Sequence, residues 1–429
     1  VNYMMKIKGG STLNGTVKAQ GAKNAALPIM AASLLIKGGT LKLNRVPGLK
    51  DISTMADLLR HLGVKIEFAK NAMSLQVPED LGWETPSDLV RKMRASSLVL
   101  GPLLARCGKA VLPLPGGCSI GSRPIDLHLK GLARMGAEIE LIHGSVHAKA
   151  KGLRGGRIYL DFPSVGATEN LLMAAVFAKG ETLLENAARE PEIGNLIDVL
   201  NSMGGKISEK SSGEILIEGV EELHGVESWI IPDRIEASTY LLAGVITKGT
   251  ITVEDVNISH VDALLAKLEE MAVPFSCRER SVTVFPCEKP HAVSLKTLPF
   301  PGFPTDLQPQ VMAAMTLAEG TSIIQESVFE SRFRHVSELN KMGSSIDVQG
   351  NTAIIKGVRE LVGADVHATD LRAGAALILA GLAAHDVTNV FNIGHVYRGY
   401  EDIQTKLQSL GGNVDISQSE KTYPKVNDI

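Results

Sequence analysis

The stretch DISTMADLLRHLG (residues 51–63) opens on an aspartate, runs through an amphipathic series and closes on glycine. Aspartate is a good helix N-cap, and glycine takes the left-handed backbone that ends a helix. VKIEF (64–68) and SLQV (74–77) follow, reading as two strands of a hairpin around Asn71. Upstream, NAALPIMAASLL (24–35) has helical apolar spacing, and GTLKLNRV (39–46) alternates as a strand does. With a short strand ahead of the first helix, the unit reads βαβαββ.

The same stop recurs along the chain. It falls at Leu62–Gly63, Met135–Gly136, Met203–Gly204, Met271–Ala272, Met342–Gly343 and Leu410–Gly411, at separations of 73, 68, 68, 71 and 68 residues. Near-constant spacing over six occurrences marks an internal repeat. One such unit is too small to cover both faces of its sheet, so the expectation is an α/β fold of two groups of three units, helices inside and sheets outward.

The entrances to the six first helices are GAKNAA (21–26), KMRASS (92–97), VGATEN (165–170), DRIEAS (233–238), PTDLQP (304–309) and TDLRAG (369–374). Thr305, Asp306 and Thr369 suit ordinary capping. Lys23, Arg94 and Arg372 do not, because a cation at a helix N-terminus opposes the macrodipole. Converging N-termini and cations would together make an anion site.

Composition sets limits on function. The 429 residues carry 44 basic and 47 acidic side chains, a net charge of −3, with 4% aromatics. Neither a basic face nor a stacking platform for nucleic acid is expected. The N-terminal VNYMMKIKGG lacks a signal-peptide core, and AGAALILAGLAA (373–384) is too short to cross a bilayer, so no membrane insertion is expected. Cys107, Cys118, Cys277 and Cys287 have no metal-ligand spacing, which fits a reduced, cytoplasmic protein.

Cys118 sits in LPGGCSIGSRPID (114–126), a connection whose Gly116, Gly117 and Gly121 free the backbone and whose Pro124 suits a first helical turn. Two readings stay open: a plain glycine-rich turn, or a working thiol. A free thiol has a pKa of about 8.5, near enough to neutrality to give or lose a proton. Arg123 favours the thiolate, whereas a bound polyanion favours the neutral thiol. The loop matches neither the P-loop nor the dinucleotide fingerprint.

GAKNAALP, MRAS, LPGGCSIGSRPIDLH, SVGATEN, FPTDLQPQ, FESRF, TDLRAGA and YRGYE, spread from residue 21 to residue 401, resemble the UDP-N-acetylglucosamine 1-carboxyvinyltransferases, a branch of the enolpyruvyl transferases. The resemblance implies an inside-out α/β barrel of two domains, each of three βαβαββ units. One comprises 1–22 plus 231–429; the other is 23–230 and carries the Cys118 loop. It implies transfer of the enolpyruvyl group of phosphoenolpyruvate to the 3′-hydroxyl of UDP-N-acetylglucosamine with release of phosphate, the first committed step of peptidoglycan synthesis. No metal or organic cofactor is implied, and fosfomycin is expected to alkylate Cys118.

By the same resemblance, Cys118 matches the proton donor to the enolpyruvyl methylene carbon and the site of a phosphoenolpyruvate adduct. Lys23, Arg123 and Arg398 match the cations that hold phosphoenolpyruvate, and arginine suits planar anions. Asp306 matches the group that takes the proton from the sugar hydroxyl. Asn24, Arg94, Arg123, Pro124, Ile125, Asp126 and Leu127 match UDP-sugar contacts, as do Ser164, Val165, Gly166 and Val328. Asp370, Arg372 and Arg332 match residues near the reacting centre; for Asp370 and Arg372 a structural ion pair is the plain alternative, as a simple cap is for Asp306. Phe162 departs from the pattern, standing where some relatives carry a lysine that reaches the nucleotide. Matched residues come from both halves, so the sugar nucleotide is expected to draw the halves together. Three rivals weigh less: a shikimate 3-phosphate enzyme of the same fold, a non-catalytic scaffold and the RNA-end cyclases.

Overall fold

The computed structural model describes residues 3–114, 125–210 and 213–418, and these sort into two compact bodies: 20–114 with 125–231, and 3–19 with 232–418. Each body has its own apolar core. The chain passes from one to the other after Ala19 and again after Ile231.

All six predicted stops adopt left-handed backbone: Gly63, Gly136, Gly204, Ala272, Gly343 and Gly411 have φ between 58° and 110°. The helices they end, Lys50–His61, Asp126–Arg134, Pro191–Ser202, Asp262–Glu270, Val336–Lys341 and Ile403–Ser409, each bury one face. The first helices differ. Lys23–Ala32 buries every residue but Asn24, Gln308–Met315 buries all of its residues, and Leu371–Ala383 is buried from Arg372 to Leu382. A helix apolar on all sides belongs inside. Within each body these helices pack on one another.

The sheets lie outside them. Along Thr321–Gln325, Ser322 and Ile324 are buried while Thr321 and Ile323 are exposed, the alternation of a sheet with one wet face. The pattern in the third repeat is a leading strand, Arg157–Tyr159, parallel to Glu181–Glu185, which pairs antiparallel with Ile215–Glu218, itself antiparallel to Lys206–Glu209. The fifth repeat uses Ser294–Lys296, Thr321–Gln325, Thr352–Lys356 and Ser345–Gln349 in the same order. In the second repeat the leading strand shrinks to the bridge between Glu84 and Val111.

The remaining repeats borrow strands, which corrects the expectation that each unit opens on its own. The strand before the first helix, Asn14–Lys18, runs parallel to Thr250–Glu254 in repeat four. Repeat one is led instead by Glu227–Trp229, beside Gly39–Asn44. In repeat six Tyr3–Lys8 lies between Val387–Phe391 and Asn413–Gln418, antiparallel to both, where the other repeats place their own return strand. An independent sign of this equivalence is the glycine that follows. A Cβ on Gly219, Gly357 or Gly9 would fall 1.8, 1.7 or 2.0 Å from the carbonyl oxygen of Ala178, Ala318 or Ala384. No side chain fits there, and all three glycines make the same approach in their own repeats.

Candidate active site

In the body built from 3–19 and 232–418, the carboxylate of Asp306 receives two buried guanidiniums. Oδ1 lies 3.2 Å from Arg332 Nη2 and Oδ2 lies 3.1 Å from Arg372 Nη2. The Asp306 side chain is 29% exposed, the two arginine side chains 2% and 4%. A partly exposed carboxylate gripped by two buried guanidiniums keeps its direction. Burial acts to lower the Arg372 pKa, but Asp306, Tyr400 and Asp233 outweigh it and hold the guanidinium above its ordinary value.

Two local devices set this geometry. Asp370 caps Leu371–Ala383 by accepting from the backbone of Arg372 and Ala373 at 2.9 and 3.1 Å, which places Arg372 on the first turn. Glu326, buried, accepts from the Thr297 and Thr305 hydroxyls at 2.7 and 3.0 Å and from the backbone of Val328 and Phe329 at 2.9 and 3.2 Å. It thereby ties the turn bearing Asp306 to the loop bearing Val328 and Arg332.

Three sequence expectations are corrected here. Thr305 and Asp306 cap nothing through their side chains, since both are engaged elsewhere. Thr369 is not the cap of its helix; its neighbour Asp370 is. Asp370 and Arg372 form no ion pair, because the carboxylate serves backbone and the guanidinium goes to Asp306. His335, fully buried beneath Arg332, donates from Nδ1 to the Arg332 carbonyl at 3.1 Å; burial lowers its pKa to about 4. Arg398, half-buried, ends the short 3-10 helix Ile393–Arg398.

In the other body, Lys23 stands on the first turn of Lys23–Ala32, and its Nζ lies 3.0 Å from Asp51 Oδ2, with both side chains buried. Asp51 was expected to cap its own helix. Leu49 occupies that position, and Asp51 sits within the first turn, turned toward Lys23. The cation that opposed a helix dipole therefore has a carboxylate beside it. Asn24 is exposed and Arg94, at the start of Arg94–Val99, is half-buried.

Arg94 also acts on His128, whose pKa burial and then the Arg94 charge lower to about 4. Asn170 donates from Nδ2 to the Ser97 carbonyl at 2.7 Å and lies 2.9 Å from His128 Nδ1. Its second amide hydrogen makes that ring nitrogen an acceptor, so a neutral His128 carries its proton on Nε2. Ser164 caps Val165–Ala175, and a Cβ on Gly166 would lie 3.3 Å from the His128 ring. Ile125 is buried, Leu127 partly so, and Asp126 is exposed on the first turn of the next helix. Phe162 is exposed, close to an ion pair of Lys130 and Asp161 at 2.6 Å. Cys118, Arg123 and Pro124 lie outside the described residues.

Sequence reasoning missed Asp51, Glu326, His128 and Asn170 as parts of these sites. Asp51 is 28 residues from Lys23 and Glu326 is 21 from Thr305, so no local spacing announces either pair. Among the described residues, no group of three or more His, Cys, Asp or Glu side chains could hold a metal ion, and no helix is long and apolar enough to cross a membrane.

A profile of the EPSP synthase (3-phosphoshikimate 1-carboxyvinyltransferase) family matches residues 7–407. The UDP-N-acetylglucosamine 1-carboxyvinyltransferase 2 of Carboxydothermus hydrogenoformans is 52% identical over 95% of this chain and 98% of its own length. UDP-N-acetylglucosamine 1-carboxyvinyltransferase 1 of Caldanaerobacter subterraneus is 51% identical over 94% and 96%. Among solved structures, the enolpyruvyl transferase NikO from Streptomyces tendae superposes with a TM-score of 0.88 at 27% identity, covering 97% of this chain and 99% of its own. EPSP synthase from Acinetobacter baumannii gives 0.77 at 18% identity over 97% and 100%, a likeness of fold. The chain belongs to the enolpyruvyl transferases and, within them, to the UDP-N-acetylglucosamine 1-carboxyvinyltransferase family.

Proposed function

We propose the following division of labour in a chain that transfers the enolpyruvyl group of phosphoenolpyruvate to the 3′-hydroxyl of UDP-N-acetylglucosamine with release of phosphate. Asp306 takes the proton of the sugar hydroxyl as that oxygen bonds to the central carbon of phosphoenolpyruvate. A carboxylate beside two guanidiniums is a weak base, so proton removal accompanies the attack rather than preceding it. Cys118 supplies the proton that turns the methylene carbon into a methyl group. Loss of a proton from that methyl group and of phosphate from the adjacent carbon then restores the double bond.

Lys23, Arg123 and Arg398 hold the phosphate and carboxylate of phosphoenolpyruvate. Asn24, Arg94, the run from Arg123 to Leu127, Ser164 to Gly166 and Val328 bind the UDP-sugar, and Arg332, Asp370 and Arg372 shape the surroundings of Asp306. The reading places the chain in the cytoplasm, where its two phosphorylated substrates are made. The observation that supports it best is the partly exposed Asp306 carboxylate fixed by the buried Arg332 and Arg372. Phosphate release provides the test. The chain should release phosphate from phosphoenolpyruvate when UDP-N-acetylglucosamine is added and not when shikimate 3-phosphate is. Asp306→Asn should lose most of that turnover while still binding the UDP-sugar, and a fully active Asp306→Asn enzyme would remove Asp306 from its role.

A further inference from the structure

We infer that Tyr400 is a positioning residue for the reaction: its buried hydroxyl fixes the Arg372 guanidinium that in turn orients Asp306. The inference rests on the role proposed for Asp306. Tyr400 is fully buried, and its hydroxyl meets residues from the first helices of all three repeats in its body. Thr239 Oγ1 lies 2.9 Å away, Gln310 Nε2 3.1 Å and Arg372 Nη1 3.3 Å. The ring also lies 5.6 Å from the Arg372 guanidinium carbon.

The direction of this network follows from donor counting. Thr239 Oγ1 donates its only hydrogen to the Ile235 carbonyl at 2.8 Å, so toward Tyr400 it accepts. Tyr400 therefore donates to Thr239 and offers its lone pairs to Arg372 and Gln310. Gln310 also donates from Nε2 to the Asp306 carbonyl at 3.1 Å, so the network touches both the backbone and the carboxylate of the same residue. A core tyrosine needed only for packing would be satisfied by one partner. Here one hydroxyl joins three helices and ends on the group that grips Asp306, and removing its oxygen leaves Arg372 Nη1 without this acceptor in a water-poor site.

The test compares Tyr400→Phe, which keeps the ring, with the unaltered enzyme in single-turnover phosphate release and in steady state. The chemical step should slow by about tenfold, the equivalent of about 1.4 kcal/mol in the barrier, while the KM for UDP-N-acetylglucosamine stays within about twofold. Thr239→Val should act in the same direction, and the double variant should be no slower than Tyr400→Phe, because both cut one chain. A lowered melting temperature with an unchanged chemical rate would overturn the inference, as would simple multiplication of the two effects. If Tyr400→Phe does not fold, Thr239→Val alone decides by the same rate comparison. An inactive Asp306→Asn beside an unaffected Tyr400→Phe refutes this inference only; an active Asp306→Asn refutes the reading on which it stands.

Discussion

Lys23 and Asp51 show how a charge legible in the sequence acquires its meaning from a partner that was not. The lysine at a helix N-terminus signals an anion, and the fold supplies one at 3.0 Å from within the protein. Breaking a buried pair by removing one member costs up to about 3–5 kcal/mol, whereas replacing both by apolar groups is often close to neutral. Asp51→Ala is therefore expected to lower unfolding stability, by no more than that, and Lys23→Met with Asp51→Leu to recover part of it. Urea unfolding of the variants checks this. Lys23 and Arg372 stand out in the sequence because cations clash with the helix starts on which they lie, whereas Asp306 stands out only through the family resemblance. Asp51 and Glu326 were not, since their roles arise from contacts that only the folded chain makes.

At the level of elements, the six helix stops were legible because a left-handed residue is a local demand that glycine meets best. The exception proves informative: Ala272 occupies the same backbone with φ 58°, where an L-residue is disfavoured by about 1–2 kcal/mol. Ala272→Gly is expected to stabilise its body by about 1 kcal/mol, net of the entropy that glycine loses on folding. The midpoint of chemical unfolding, followed by hydrogen exchange in Asp262–Glu270, measures it. What local reading could not give was strand ownership. Asn14–Lys18 and Glu227–Trp229 look like neighbours of the helix and loop beside them, yet each pairs with a strand far away in sequence. Strand pairing is decided by register and burial across the sheet, not by adjacency.

At the scale of the molecule, two separate cores mean that damage to one body should spare the other. Ile7 is fully buried in the strand that completes repeat six. Ile7→Ala should destabilise the body of 3–19 and 232–418 by about 2–5 kcal/mol. Amide exchange should accelerate in Val387–Phe391 and Asn413–Gln418 and remain unchanged in Val165–Ala175; equal acceleration in both bodies would show that they unfold as one. The threefold arrangement in each body was readable from six evenly spaced stops, because repetition itself carries long-range information.

The strand Tyr3–Lys8 is synthesised well before both of its neighbours, Val387–Phe391 and Asn413–Gln418. At synthesis rates of about 5–20 residues per second, the gap lasts roughly 20–80 s. Through that interval Met5 and Ile7 have no sheet to enter, and the nascent chain trails an apolar strand with open hydrogen-bonding edges. The body of 20–231 can finish first, since its own borrowed strand, Glu227–Trp229, emerges before repeats four to six are made. Birth order and folding order thus run opposite for this strand: made early, placed late.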